Sequence, residues 1–180
     1  MKILIAYATK TGTTRECAER LATHFEFHDV TLADLTETVP DLSAFDAVVI
    51  GSNVRANKIH KQVKQFLADN GARLAEMRYA LYICCCMADQ APFYFEKNFT
   101  PEQLDGALAH LCFGGEIKMD RQKGMDKLIM KIVLRVITNS RRSEDPDEAM
   151  EMPAIIPENI RRLADAVKTN VRIEGEGNFL

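Results

Sequence analysis

The chain has 180 residues and a mass of 20.3 kDa, a size that fits one domain able to bury a full core. Hydrophobic residues make up 47% and charged residues 27%, which excludes intrinsic disorder. A net charge of −3 is too mild to select a partner, and nucleic acid is not expected to be one. Five cysteines, three of them adjacent at Cys84, Cys85 and Cys86, do not form a disulfide framework. An odd count with neighbouring thiols reads as reduced cysteines in a cytoplasm. No cluster has metal-ligand spacing, and no apolar run is long enough to span a bilayer. The first apolar stretch, Met1 to Ala8, is too short for a signal peptide and reads as a strand.

Elements alternate along the chain. Ile3–Ala8 is a continuous apolar run, as expected for a strand covered on both faces. From Thr13 to about Phe25 the apolar residues Cys17, Ala18, Leu21, Ala22 and Phe25 recur at helical spacing. Val30–Leu35 is a weak strand, and Asp46–Gly51 is a strong one that the glycine stops. Ile59–Met77 is read as one helix, with Val63, Phe66, Leu67 and Leu74 inward. Tyr79–Cys86 is a further strand, and 87–99 an irregular loop holding Pro92 and several aromatics. Pro101–Leu111 is a short helix with a proline in its first turn, and Leu111–Lys118 the last strand. Met125–Thr138 is an apolar helix, Asn139–Pro153 a polar connection and Pro157–Val171 the closing helix. Strand and helix in alternation imply a parallel sheet with helices on both faces. The expected fold is a doubly wound, five-stranded parallel sheet of order 2-1-3-4-5. Residues 1–174 form one domain with a helical basic insertion at about 119–142, and 175–180 form a frayed tail.

The most informative residues follow the first strand: Thr9-Lys10-Thr11-Gly12-Thr13-Thr14, leading directly into a helix. A phosphate monoester needs several donors converging on its oxygens, and a helix N-terminus supplies unpaired N–H groups and the positive end of the dipole. The hydroxyls of Thr9, Thr11 and Thr14 add donors without charge, while Gly12 lets the backbone bend close. The sequence lacks the glycine-lysine-Ser/Thr ending of a Walker loop and the three glycines of a dinucleotide turn. A plain helix cap is the alternative, but four threonines around one glycine exceed what a cap requires.

This loop resembles the signature of the flavodoxin family, Thr/Ser-x-Thr-Gly-x-Thr after the first strand. The resemblance implies that Thr9, Lys10, Thr11, Gly12, Thr13 and Thr14 hold the phosphate of FMN. In a doubly wound sheet the ligand lies beyond the carboxyl ends of the strands, at the switch point. Two more loops leave those ends: one with Ser52, Asn53, Val54, Arg55 and Ala56, the other with Cys86, Met87, Ala88 and Asp89. By the same resemblance they flank the flavin ring and meet its pyrimidine edge. Flavodoxins often stack a tryptophan or tyrosine on the ring, yet this chain has no tryptophan and its first ring loop has no aromatic residue. Arg55 is either a charge that stabilises a reduced flavin or a solvated surface residue. Phe93, Tyr94 and Phe95 either cover the ring or form a small core, and His60 reads as a helix-start residue. Cys84–Cys86 read as small hydrophobes at a strand end, with Cys86 the one candidate for a redox role.

Between Lys118 and Arg142 the local charge is +6, and Lys123, Lys127, Lys131 and Arg135 share one helical face. Such a helix suits an anionic membrane surface or an acidic partner; the alternative is a sheet-covering helix with a solvated outer face. Gly114-Gly115-Glu116-Ile117 followed by Met125–Ile132, together with Ile50-Gly51-Ser52-Asn53-Val54-Arg55, is similar to the bacterial flavodoxin-like protoporphyrinogen oxidases that use menaquinone. That resemblance implies an FMN-dependent oxidoreductase acting on a porphyrinogen, with a redox partner protein or quinone as acceptor. It also implies a peripheral contact with the inner face of the membrane through 123–138. The competing reading is an electron-transfer shuttle without a substrate of its own, against which the weak acidity and the basic helix both count. No side chain stands out as a catalytic acid or base.

Overall fold

A computed structural model describes residues 1–115 and 153–173. The basic insertion at 119–142, the helix Met125–Thr138, the segment 123–138 and the tail 175–180 lie outside the described residues, as does most of the polar connection before Pro153.

Five parallel strands make the sheet: β1 (Lys2–Ala8), β2 (Asp29–Asp34), β3 (Ala47–Arg55), β5 (Arg78–Cys84) and β6 (His110–Cys112). Their order is β2-β1-β3-β5-β6, the expected 2-1-3-4-5 arrangement of five parallel strands. A two-residue strand, β4 (Lys58–Ile59), folds back antiparallel on the end of β3. Helices α1 (Thr13–Ala22) and α6 (Pro157–Thr169) cover one face. On the other face lie α2 (Lys61–Asp69), α3 (Gly71–Leu74), α4 (Ala91–Asn98) and the short α5 (Pro101–Gly106).

The sheet separates two apolar cores. Strand residues alternate between them: Ile3, Ile5 and Tyr7 of β1 pack with Leu21 of α1 and Leu163 of α6, while Leu4, Ala6 and Ala8 pack with Val63 and Phe66 of α2. Both sets are almost fully buried, so the central strands read as unbroken apolar runs. Each large side chain removed from water contributes about 1.5–3 kcal/mol. Register aligns the strand ends, pairing Ala8 with Ser52 and Asn53 with Cys84. The loops after β1, β3 and β5 therefore leave the same edge side by side, with the switch point between β1 and β3.

Five elements differ from the sequence reading. The helix expected over Pro101–Leu111 ends at Gly106. Gly51 does not stop its strand; β3 runs through it to Arg55 because the Tyr82 ring on the neighbouring strand occupies the space a Cβ would fill. The 87–99 segment is not irregular. Pro92 sits in the first turn of α4, where its missing N–H is no loss, and Tyr94 and Phe95 enter the core beneath. The single helix expected over Ile59–Met77 is broken between α2 and α3 at Asn70. There the Asn70 side chain donates to the Phe66 carbonyl at 2.9 Å, sharing it with the Asn70 backbone N–H at 3.1 Å, as C-terminal caps commonly do. The last strand starts at His110, a residue earlier than expected, and its regular part ends at Cys112. Gly114 follows at φ 71°, a left-handed turn that glycine adopts without penalty. This lets Ile155 pair back against it.

Candidate ligand cleft at the switch point

The first loop is built by its own residues. Gly12, at φ 90°, turns the chain into α1, and its N–H donates to Thr9 Oγ1 at 3.0 Å. The Thr9 hydroxyl thus braces the loop through its oxygen while its proton stays available to a ligand. Thr13 and Thr14 open the helix, and both hydroxyl oxygens are buried without a hydrogen-bond partner. Behind them the Tyr82 hydroxyl, enclosed in the core, donates to the Thr14 carbonyl at 3.0 Å and ties the helix start to β5. On the outer side, the Arg15 guanidinium donates to the Tyr7 hydroxyl at 3.0 Å and to Asp34 at 3.3 Å. Asp34 also accepts from the N–H and hydroxyl of Thr36. The ends of β1, β2 and α1 are thereby locked together.

The second loop is a hairpin rather than an open loop. Val54 and Arg55 pair with Ile59 and Lys58 around Ala56 and Asn57, which adopt φ 46° and 62°. Positive φ at both central positions is the two-residue turn that matches strand twist. Ser52, buried at the base, accepts the His60 N–H at 2.8 Å and donates to the Asn53 carbonyl at 3.0 Å. His60 begins α2 as expected: its Nδ1 accepts the Gln62 N–H at 3.4 Å, and burial lowers its pKa.

The third loop carries the cysteines. Cys84 and Cys85 are buried and Cys86 is partly exposed. Cys85 lies 3.5 Å from Cys112, sulfur to sulfur. That contact and burial push the Cys85 thiol well up, and burial pushes Cys86 up to about 11. Both shifts favour the neutral thiol over the thiolate.

Between these loops lies an open cleft lined by Lys10, Thr11 and Thr13, by Asn53, Val54 and Arg55, and by Cys84, Cys85, Cys86 and Gly115. Seven of the residues singled out from the sequence thus converge on one space. Thr14 and Ser52 are buried and do not line it, Thr9 and Gly12 line a separate opening with Arg15, Glu16 and Glu19, and Ala56 stands exposed at the hairpin tip. Met87 and Ala88 pack on the core beside α4 instead, and Asp89 is exposed. Phe93 is 47% exposed with the Lys97 ammonium over its ring, while Tyr94 and Phe95 are core residues. Sequence reasoning missed Cys84, Cys85 and Gly115 as lining. Of these only Gly115 left a signal, its pairing with Gly114; a Cβ on Gly115 would press on the Cys85 backbone at 3.0 Å. Asn53 Oδ1 is the third buried, unpartnered oxygen at this edge. Buried polar atoms are ordinarily paired, so the oxygens of Thr13 and Asn53, both on residues that line the cleft, are open positions for a polar partner. Among the described residues no group of His, Cys, Asp or Glu forms a metal site, and no helix is long and apolar enough to cross a membrane.

A doubly wound α/β sheet with an open cleft at its switch point, bordered by the N-terminus of α1, is the class this architecture defines. Residues 4–144 match the family model described as a flavodoxin domain, and the chain belongs to that family. Protoporphyrinogen IX dehydrogenase (quinone) of Escherichia coli K12 is 26% identical over 151 residues, covering 76% of this chain and 80% of that protein. Among solved structures, oxidised flavodoxin 1 from Bacillus cereus aligns at TM-score 0.50 and 15% identity, over 79% of this chain and 100% of that one. A flavo di-iron protein mutant from Thermotoga maritima aligns at TM-score 0.52 and 12% identity, over 94% of this chain and 36% of that longer one. These two likenesses support the fold.

Proposed function

We propose that the chain is an FMN-dependent oxidoreductase that oxidises a porphyrinogen and passes the electrons to a quinone. The observation that carries the redox reading is the pair of unpartnered buried oxygens at Thr13 and Asn53 on the wall of the cleft in a flavodoxin-domain chain. FMN fits this donor set. Thr9, Lys10, Thr11, Gly12, Thr13 and Thr14 hold its phosphate with hydroxyls, backbone N–H groups and one ammonium. Asn53, Val54 and Arg55 would flank the ring on one side with Ser52 buried at their base, and Cys86 would stand on the other, while Ala56 lies at the hairpin tip and Met87, Ala88 and Asp89 are set back from the cleft. Asn53 Oδ1 offers an acceptor to a ring N–H, and the Arg55 charge favours an occupant that carries negative charge. FMN, when bound, supplies reversible uptake of electrons or hydride. The protein's share is to bind, orient and tune it.

Substrate class rests on the likeness to the Escherichia coli dehydrogenase. The +6 segment from Lys118 to Arg142 suits both the carboxylates of a porphyrinogen and an anionic lipid surface through 123–138. The test is anaerobic mixing of FMN-loaded protein with a porphyrinogen and a soluble naphthoquinone, following porphyrin fluorescence. Catalytic formation of porphyrin supports the reading. Bound FMN without porphyrin formation, alongside electron exchange with a redox protein, would replace it with the shuttle.

A further inference from the structure

One side chain of α4 holds the hairpin that borders the cleft. Asn98 Oδ1 accepts the Ile59 N–H at 3.0 Å, and Asn98 Nδ2 donates to the Asn57 carbonyl at 3.0 Å and to the Tyr94 carbonyl at 2.8 Å. Two of those partners lie in the second loop and the third in α4, the helix that follows the third loop at Met87–Gln90. β4 is only two residues long and pairs with β3 alone, so its own ladder is short. A two-stranded ribbon of that length is not stable by itself in water. The Ala56-Asn57 turn adds strain, since a non-glycine residue in the left-handed region costs about 1–2 kcal/mol. Hairpin geometry therefore depends on contacts from outside it, and Asn98 makes two of the hydrogen bonds among them. Through β3 the hairpin places Asn53, Val54 and Arg55 on the cleft wall, whereas Thr9–Thr14 is braced independently by Thr9, Arg15 and Tyr82.

We infer that Asn98 is a positioning residue for the ring side of the cleft, fixing the hairpin so that the wall receives the flavin ring while phosphate binding is untouched. This inference rests on the FMN reading above. Three probes separate the two ends of the ligand: FMN, riboflavin, which lacks the phosphate, and inorganic phosphate as a competitor of FMN. Losing Asn98 leaves the Ile59 N–H and the Asn57 carbonyl without their partner. The expected effect of Asn98→Ala is about a tenfold loss of affinity, the weight of one to two hydrogen bonds. That factor should be the same for FMN and riboflavin by fluorescence quenching, with the inhibition constant of inorganic phosphate unchanged. The visible circular dichroism of bound FMN should change as the ring's surroundings relax.

Amide hydrogen exchange on the ligand-free protein supplies an independent measurement. The Ile59 amide should be protected in the wild type and lose protection in Asn98→Ala, and Asn98→Asp, which keeps the acceptor but not the donors, should retain it. Flavin affinities equal to wild type in Asn98→Ala overturn the inference alone. So does a matching loss of phosphate binding, which would mean general damage, or an Ile59 amide that exchanges freely in the wild type. A wild-type chain that binds neither flavin overturns the FMN reading, and the ring clause of this inference with it.

Discussion

Gly51→Ala is expected to be among the most destabilising single-methyl changes available in the described sheet. Gly51 and Tyr82 are register partners on β3 and β5, and a Cβ at Gly51 would overlap the Cε1, Cζ and hydroxyl of Tyr82. Tyr82 is fully buried. Its ring is stacked on Phe113 at 4.4 Å and 13°, so it has no empty space to move into. Overpacking a tight core costs about 1–3 kcal/mol, and the clash with an enclosed ring puts Gly51→Ala at the upper end. Moving the ring also breaks the Tyr82–Thr14 hydrogen bond, which adds about 1 kcal/mol. The sum is about 3–4 kcal/mol, a fall in Tm of about 6–16 °C for a chain of this size. Urea and thermal unfolding measure it, and a double-mutant cycle with Tyr82→Leu identifies the cause. With the ring gone the added methyl has room, so the coupling should reach about 2 kcal/mol or more. A Gly51→Ala cost that is the same in both backgrounds would refute the steric argument.

Thr13→Val removes a buried hydroxyl that lacks a partner in the ligand-free protein. Apo stability should hold or rise slightly, while FMN affinity falls about tenfold in a fluorescence titration. Ala56 at φ 46° is strained, so Ala56→Gly should stabilise by about 0.5–1 kcal/mol in urea unfolding, after the larger chain entropy of glycine is set against the relieved strain. His60 has a folded pKa below its unfolded value because burial disfavours the charged form. The unfolded state therefore takes up protons first on acidification. Stability should fall as pH drops below about 6.5, and His60→Asn, which keeps a capping group, should flatten that part of the profile in urea titrations at pH 7.5 and 5.

What was legible in the sequence follows from how local the physics is. The turn into the first helix at Gly12 was legible because a helix start is set by a few adjacent residues, and α1 begins at Thr13. Parallel strand order came from alternation of elements, a pattern also carried along the chain. Gly51 was misread because its cause is a tyrosine 31 positions away that needs the space. The hairpin was invisible because Ala56-Asn57 is not the Asn-Gly or Asp-Gly pair that signals such a turn, and Asn98 is what compensates. α4 was hidden by Pro92, taken as a breaker when it is a first-turn residue. The aromatic trio split because burial follows the helical period: Tyr94 and Phe95 face inward and Phe93 faces out.

The two ends of the cleft are built on different principles, and that difference bears on what the site can do. At the phosphate end the loop is clamped from three directions by Thr9, Arg15 and Tyr82. Little ordering remains to be done when a ligand arrives, so its binding is preorganised. At the ring end no aromatic residue of 52–56 closes over the space, and Phe93 points to solvent beneath Lys97. Orientation there depends on one hairpin held by Asn98 and Ser52. On the FMN reading proposed above, the phosphate end would therefore supply the more preorganised share of the binding. A shuttle gains from shielding its flavin and exposing only an edge, whereas an enzyme acting on a bulky, non-planar porphyrinogen needs room beside the ring. Among the described residues no aromatic side chain lines the cleft, and the turnover of a substrate proposed above would use that space.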